Sequence, residues 1–171
     1  MTAHALTHPI TPARLIARAI DLCTRVPYSL VALLARFSIA AIFWKSGQTK
    51  IEGLAIDLVS GTFEFGLPRL SASAIPLFEH EYQLPLLAPA LAAQLAAVSE
   101  HLFALLILLG LATRFSALAL FGMTLVIQLF VYPDAYPTHG VWAAVLLLLV
   151  AKGPGLLAID QLIARRYGYA G

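Results

Sequence analysis

The chain has 171 residues, 60% of them hydrophobic and only 12% charged, whereas soluble domains average about 25% charged. With a mean hydropathy of +0.85, this is the composition of a membrane protein. A net charge of +2 is too small to argue for a nucleic-acid partner, and the single cysteine, Cys23, excludes an intrachain disulfide, a Cys-x-x-Cys centre and a thiolate metal cluster.

Residues 1–27 lack the uninterrupted apolar run of a cleavable signal. His4 and His8 read as solvated. From Pro12 to Pro27, Leu15, Ala19, Leu22 and Val26 recur at helical spacing, with Arg14, Arg18, Asp21 and Arg25 one residue earlier. This predicts an amphipathic helix, either lying on an anionic lipid surface or packed under the rest of the protein.

Three apolar runs long enough to cross a hydrocarbon core, which takes roughly 20 residues, are preceded by a fourth that Arg36 and Lys45 interrupt. The four cover about residues 28–49, 86–110, 113–132 and 139–157. The prediction is an all-α, integral membrane four-helix bundle over residues 28–157, with a tail at 158–171. Arg14, Arg18, Arg25, Arg114, Lys152, Arg165 and Arg166 cluster at one end, whereas the other loops carry Lys50 and Arg69 against six acidic residues. By the positive-inside rule both termini are cytoplasmic, N-in and C-in. Residues 50–85 are then periplasmic, and the spacing of Ile51, Leu54 and Leu58 predicts a short amphipathic helix at their start. Leu156, Leu157, Ile159, Leu162 and Ile163 predict a second amphipathic cytoplasmic helix after the Gly153-Pro154-Gly155 break.

Ionisable side chains inside such spans mark candidate sites, because a bare carboxylate at a helix centre costs on the order of 3 kcal/mol. Glu100 and Arg36 lie at depths that allow an interhelical pair, and both are candidates for proton handling. His101 points about 100° away from Glu100 around the helix, which suits a neutral imidazole hydrogen-bonded across helices. Haem ligation would need two imidazoles at one depth, and His101 and His139 are not level, so no haem is expected within one chain. Lys45, Gln48, Gln94, Gln128, Tyr132, Asp134 and His139 gather toward the non-cytoplasmic end. With His101 they form a candidate polar funnel for a quinol head group or another small polar ligand; the alternative is a set of interfacial anchors. No recognised metal pattern is present, and His80 and His139 are the weak candidates.

"ARFSIAAIF" (35–43) and "TRFSALALF" (113–121) echo each other, which hints at a duplicated helix pair. "RFSIAAIFWKSGQTKI" also resembles the first-helix signature of the DoxX family, R-x6-F-x3-G-x2-K, met by Arg36, Phe43, Gly47 and Lys50. "SEHLFALLILLGLATRFSAL" is similar to that family's second helix, with Glu100, Gly110, Thr113 and Arg114, and the stretch from Gly122 to Asp160 resembles a proteobacterial DoxX group. His101 departs from the pattern, so its role is not inherited.

The resemblance implies a multi-pass protein of the bacterial inner membrane. It implies an accessory subunit of a redox or stress-response complex rather than a stand-alone oxidoreductase, in a family linked to quinone-coupled sulfur oxidation, thiol stress and copper-handling peptides. Quinone is the candidate cofactor. The candidate partners are lipids, an inner-membrane or periplasmic protein, and a second copy packed on the small residues around Ala92 and Ala96. A scaffold or chaperone for periplasmic maturation is the alternative, and a small transporter the weaker one.

Overall fold

The computed structural model describes residues 12–57 and 59–168. His4, His8 and Leu58, on which expectations were placed, lie outside the described residues. Helix α1 (Pro12–Thr24) begins at Pro12 and ends three residues before Pro27, with no buried residue. It is therefore not packed under the bundle, and its apolar side, including Ile16, Ile20 and Leu22, is exposed.

Four membrane-length helices follow: α2 (Tyr28–Gln48), α4 (Pro89–Leu109), α5 (Thr113–Val126) and α6 (Tyr136–Lys152). A π turn at Ile127–Val131 extends α5, and a 3₁₀ turn at Pro133–Ala135 leads into α6. All four segments are apolar enough to cross a membrane. The ends are set by local chemistry. Pro89 starts α4 where its missing N–H costs nothing. Gly110, at φ +70°, closes α4 in the left-handed conformation that glycine tolerates. Gly153 ends α6 at Lys152, so the fourth helix both starts and ends earlier in the chain than the expected 139–157.

The helices pack around Ile39, Phe43, Ile107, Leu120, Leu146 and Leu149. Small residues on α2 and α4, among them Ala35, Ala40 and Ala104, bring the helix backbones close, which is how helices associate where there is no hydrophobic drive between them.

The predicted helix at 51–58 is instead a β-hairpin: β1 (Ile51–Asp57) and β2 (Thr62–Leu70) pair antiparallel. Leu54 opposite Phe65 and Ile56 opposite Phe63 form aliphatic–aromatic cross-strand pairs, with a bulge at Gly53. The Asp57 carboxylate accepts the Val59 and Ser60 backbone N–H groups at 2.8 and 3.1 Å. Those bonds shape the turn and hold the Asp57 carboxyl below its ordinary range. A short helix α3 (Ala74–Leu77) then runs into a second π turn, Phe78–Tyr82.

At the basic end, α7 (Ile159–Arg166) follows a strap that locks the bundle. The Asp160 carboxylate accepts the backbone N–H groups of Ala112 and Thr113 at 2.7 and 2.9 Å. It thus caps the start of α5 from a distant part of the chain, in the way a local N-cap would. Arg114 donates to the Val150 carbonyl at 2.6 Å, and Arg36 to the Leu157 carbonyl. The two arginines of the internal echo therefore both serve carbonyls at or beyond the end of α6.

Candidate functional site

Helix α2 meets α4 through Gly47. A β-carbon there would lie 2.6 Å from the His101 ring and 3.2 Å from Glu100 Cβ, so only glycine permits this approach. Near the other end of the contact, Arg36 rests against Gly110. The two helices are thus antiparallel and staggered. Residue 47 is level with residue 100, and roughly 16 Å of α4 (residues 89–99, at 1.5 Å per residue) continues beyond α2. The hairpin and the α3 segment occupy the space left beside that outer half.

This stagger overturns the expected Arg36–Glu100 pair. Gly110, against which Arg36 lies, is about 15 Å along α4 from Glu100. The partner of Glu100 is Lys50, at 2.9 Å from Nζ to Oε2. Both are almost fully buried, at 2% and 3% exposure. The other two ammonium contacts are the Ser46 carbonyl at 3.1 Å and Ser46 Oγ at 3.0 Å, and Ser46 Oγ in turn donates to Glu100 Oε1 at 3.2 Å. A buried ion pair is tolerable only when its remaining protons and lone pairs are satisfied in this way.

Glu100 lines a cavity of about 280 Å³. Phe43 and Ser46 of α2, Ala96 and Ser99 of α4, and Met123 of α5 contribute to its wall, with His139 and Trp142 of α6. Both π turns face it, one through Phe78 and Tyr82, the other through Ile127 and Val131. Such turns recur at functional sites because they re-aim side chains that a regular helix would bury elsewhere. Tyr132 donates to Glu81, tying the two turns together, and the same bond holds the Tyr132 phenol above the ordinary tyrosine range. Tyr82 stacks edge-on to both Phe78 and Tyr132, and burial raises its phenol as well. Leu95 of α4 and Val126 of α5 also line the cavity, and both are partly exposed on the flank of the bundle.

Two glutamines fix the tautomers of two histidines. Gln128 donates to the Pro133 carbonyl at 2.6 Å, which turns its Oε1 toward His139 Nδ1 at 2.7 Å. Nδ1 therefore carries the proton and Nε2 is left as an acceptor. Gln48 accepts the Ile56 N–H at 2.8 Å and presents its NH₂ to His101 Nε2 at 2.8 Å, while His101 Nδ1 meets the Ala97 carbonyl at 2.7 Å. Both nitrogens of His101 are thus used within the protein, and this neutral imidazole bridges α4 to α2.

A family model described as DoxX matches residues 31–133. The chain belongs to the DoxX family. No curated protein and no solved structure matches it. The family signature has a physical meaning in this DoxX protein. Arg36, Phe43 and Gly47 stand at i, i+7 and i+11, one stripe of α2, Lys50 follows at i+14 in the turn just beyond the helix, and all four are buried.

The expected polar funnel is divided by the fold. His139 and Tyr132 line the cavity, with Gln128 behind His139. Gln94 and His101 line a different groove on another side of α4. Gln48 ties His101 to the hairpin, and Lys45 and Asp134 are exposed. His80 sits on the exposed side of its π turn, and among the described residues no third ligating side chain joins it or His139. Sequence reasoning missed Ser46, Tyr82 and above all Lys50, which it treated as a loop cation although the signature already placed it on the face of Arg36.

Proposed function

We propose that this DoxX protein is an accessory membrane subunit that binds a quinol-type head group in the cavity between α4, α5 and α6. The observation that carries the reading is the chemistry of the polar groups around an otherwise apolar chamber. The His139 ring is left with an acceptor nitrogen by Gln128, and the Glu100 carboxylate is an acceptor held in place by Lys50 and Ser46. Acceptors set in an apolar wall favour a ligand that brings hydroxyl donors, since an unmatched buried acceptor costs about 1–3 kcal/mol. A dihydroxy ring meets that requirement and a dione does not. The partial exposure of the lining residues Leu95 and Val126 suits a ligand that arrives from the bilayer with an apolar tail behind it.

The cluster of Arg and Lys at the α1–α7 end supports a cytoplasmic location for that end, and with it a cavity in the periplasmic half of a bacterial inner membrane. The subunit then holds the reduced carrier for a partner protein of a redox or stress-response complex.

The test is titration of detergent-purified protein with a short-tailed quinol and with the matching quinone, followed through Trp142 fluorescence against a Trp142→Phe control. The quinol is expected to bind at least about tenfold tighter, the worth of one matched buried hydrogen bond. His139→Phe is expected to remove most of that preference. Equal binding of both forms, or none of either, would overturn the proposal.

A further inference from the structure

Beyond that cavity, we infer that the groove between the hairpin and α4 is a binding site for one anionic phospholipid of the surrounding bilayer. The groove has a volume of about 490 Å³ and lies on a different side of α4 from the quinol cavity. Its floor is a stripe of α4 from Gln94 through Val98 and Leu102 to Leu105, roughly 16 Å long at 1.5 Å per residue. Val98, Leu102 and Leu105 are all well exposed on a membrane-length helix, so hydrocarbon is their natural neighbour. The hairpin overhangs this floor through Leu54 and Leu70. Cross-strand pairing puts Leu54 beside Phe65 on one face of the hairpin, and Phe65 is 80% exposed.

The polar chemistry selects the occupant. The two aromatic rings of the groove have no free hydrogen-bonding atoms. Trp44 Nε1 donates to the Ile56 carbonyl at 3.1 Å, and both nitrogens of His101 are engaged by Gln48 and Ala97. A peptide segment would bring more N–H and C=O groups than the polar side chains of this groove can meet, which is prohibitive at membrane depth; an acyl chain brings none. The two polar side chains that remain are Arg69 and Gln94. Gln94 is the floor residue nearest the Pro89 end of α4. The Arg69 side chain is 79% exposed and its guanidinium only loosely held by Glu52 at 3.6 Å, which leaves N–H donors for a phosphate. One acyl chain in the groove and a phosphate at Arg69 account for both ends of the site.

The experiment is native mass spectrometry of delipidated full-length protein given phosphatidylglycerol or phosphatidylcholine, with thermal stability recorded alongside. The native chain is expected to retain one phosphatidylglycerol, about fivefold more than phosphatidylcholine, which is the worth of one arginine near an anionic surface. Arg69→Gln should erase that preference. Val98→Trp, at a position exposed enough to accept a larger side chain without refolding, should fill the groove and abolish retention of both lipids while quinol binding persists. Equal retention of the two lipids by the native chain, or undiminished retention by Val98→Trp, would overturn the inference. So would a dimer that Val98→Trp dissolves, because the groove would then belong to a second copy.

Discussion

Helix α2 and the turn that follows it bury two cations fourteen residues apart, and the fold treats them differently. Lys50 is matched atom for atom: a carboxylate, a carbonyl and a hydroxyl surround its ammonium group. Arg36 is equally buried, yet only one of its terminal nitrogens donates, to the Leu157 carbonyl, and Nε and Nη1 find no protein acceptor among the described residues. Its neighbouring charge, Asp160, already serves the backbone N–H groups at the start of α5. The Lys50 site is thus an ion pair beside a cavity, whereas the Arg36 site is a peg that fixes the strap after α6. Burial alone does not distinguish them; the partners do.

Breaking the Lys50 site should have the largest effect. Glu100→Leu leaves an ammonium group without its counter-ion in a dry interior and is expected to destabilise the bundle by about 3–5 kcal/mol; Lys50→Met should cost about the same. The double variant should recover most of the loss, since two apolar side chains need no partner. Unfolding in mixed micelles measures all three, and additive losses in the double variant would mean that the two residues do not act as a pair.

A smaller effect tests the contact that creates the stagger. Gly47→Ala puts a methyl group 2.6 Å from the His101 ring, and the ring cannot withdraw without releasing Gln48 or Ala97. A loss of about 1–3 kcal/mol is expected, the usual cost of overpacking. His101→Ala should relieve it in the double variant, and a cost that persists there would point to the Glu100 side of the contact.

The spans were legible in the sequence because hydropathy and length suffice for them, and Pro89, Gly110 and Gly153 carry their own stop and start chemistry. The hairpin was not. Ile51, Leu54 and Leu58 satisfy a helical template, while Leu54 and Ile56 alternate as well as a strand requires. The turn at Asp57 and the partner strand at Phe63 and Phe65 settle the matter, and both are seen only once the strands pair. Glu100 was legible as a buried carboxylate that needed a cation, but the cation was not. Depth along each helix made Arg36 a match, and only the stagger set by Gly47 brings Lys50 level with Glu100. The cavity drew on a mixture of foreseen residues, His139 and Tyr132, and unforeseen ones: Tyr82 belongs to a π turn, which breaks the register of a regular helix, and Ser46 is brought in by the same stagger that brings Lys50.

The comparison is sharpened most by the substitution expected to do least. Arg36→Met keeps the unbranched stem of the side chain, ends short of the guanidinium's place beside Gly110, and removes a charge that no carboxylate meets. It costs the Leu157 carbonyl one donor, about 1 kcal/mol, and it removes the desolvation of a guanidinium, which is of the opposite sign. The two should cancel to within about 1 kcal/mol, although Arg36 is buried as deeply as Lys50. The strap should nonetheless loosen, so amide exchange at Asp160, whose N–H donates to the Gly110 carbonyl at 2.8 Å, should quicken while exchange in the core of α4 does not. If Arg36→Met instead unfolds the bundle as Lys50→Met does, the peg is a true ion pair and the distinction between the two cations fails.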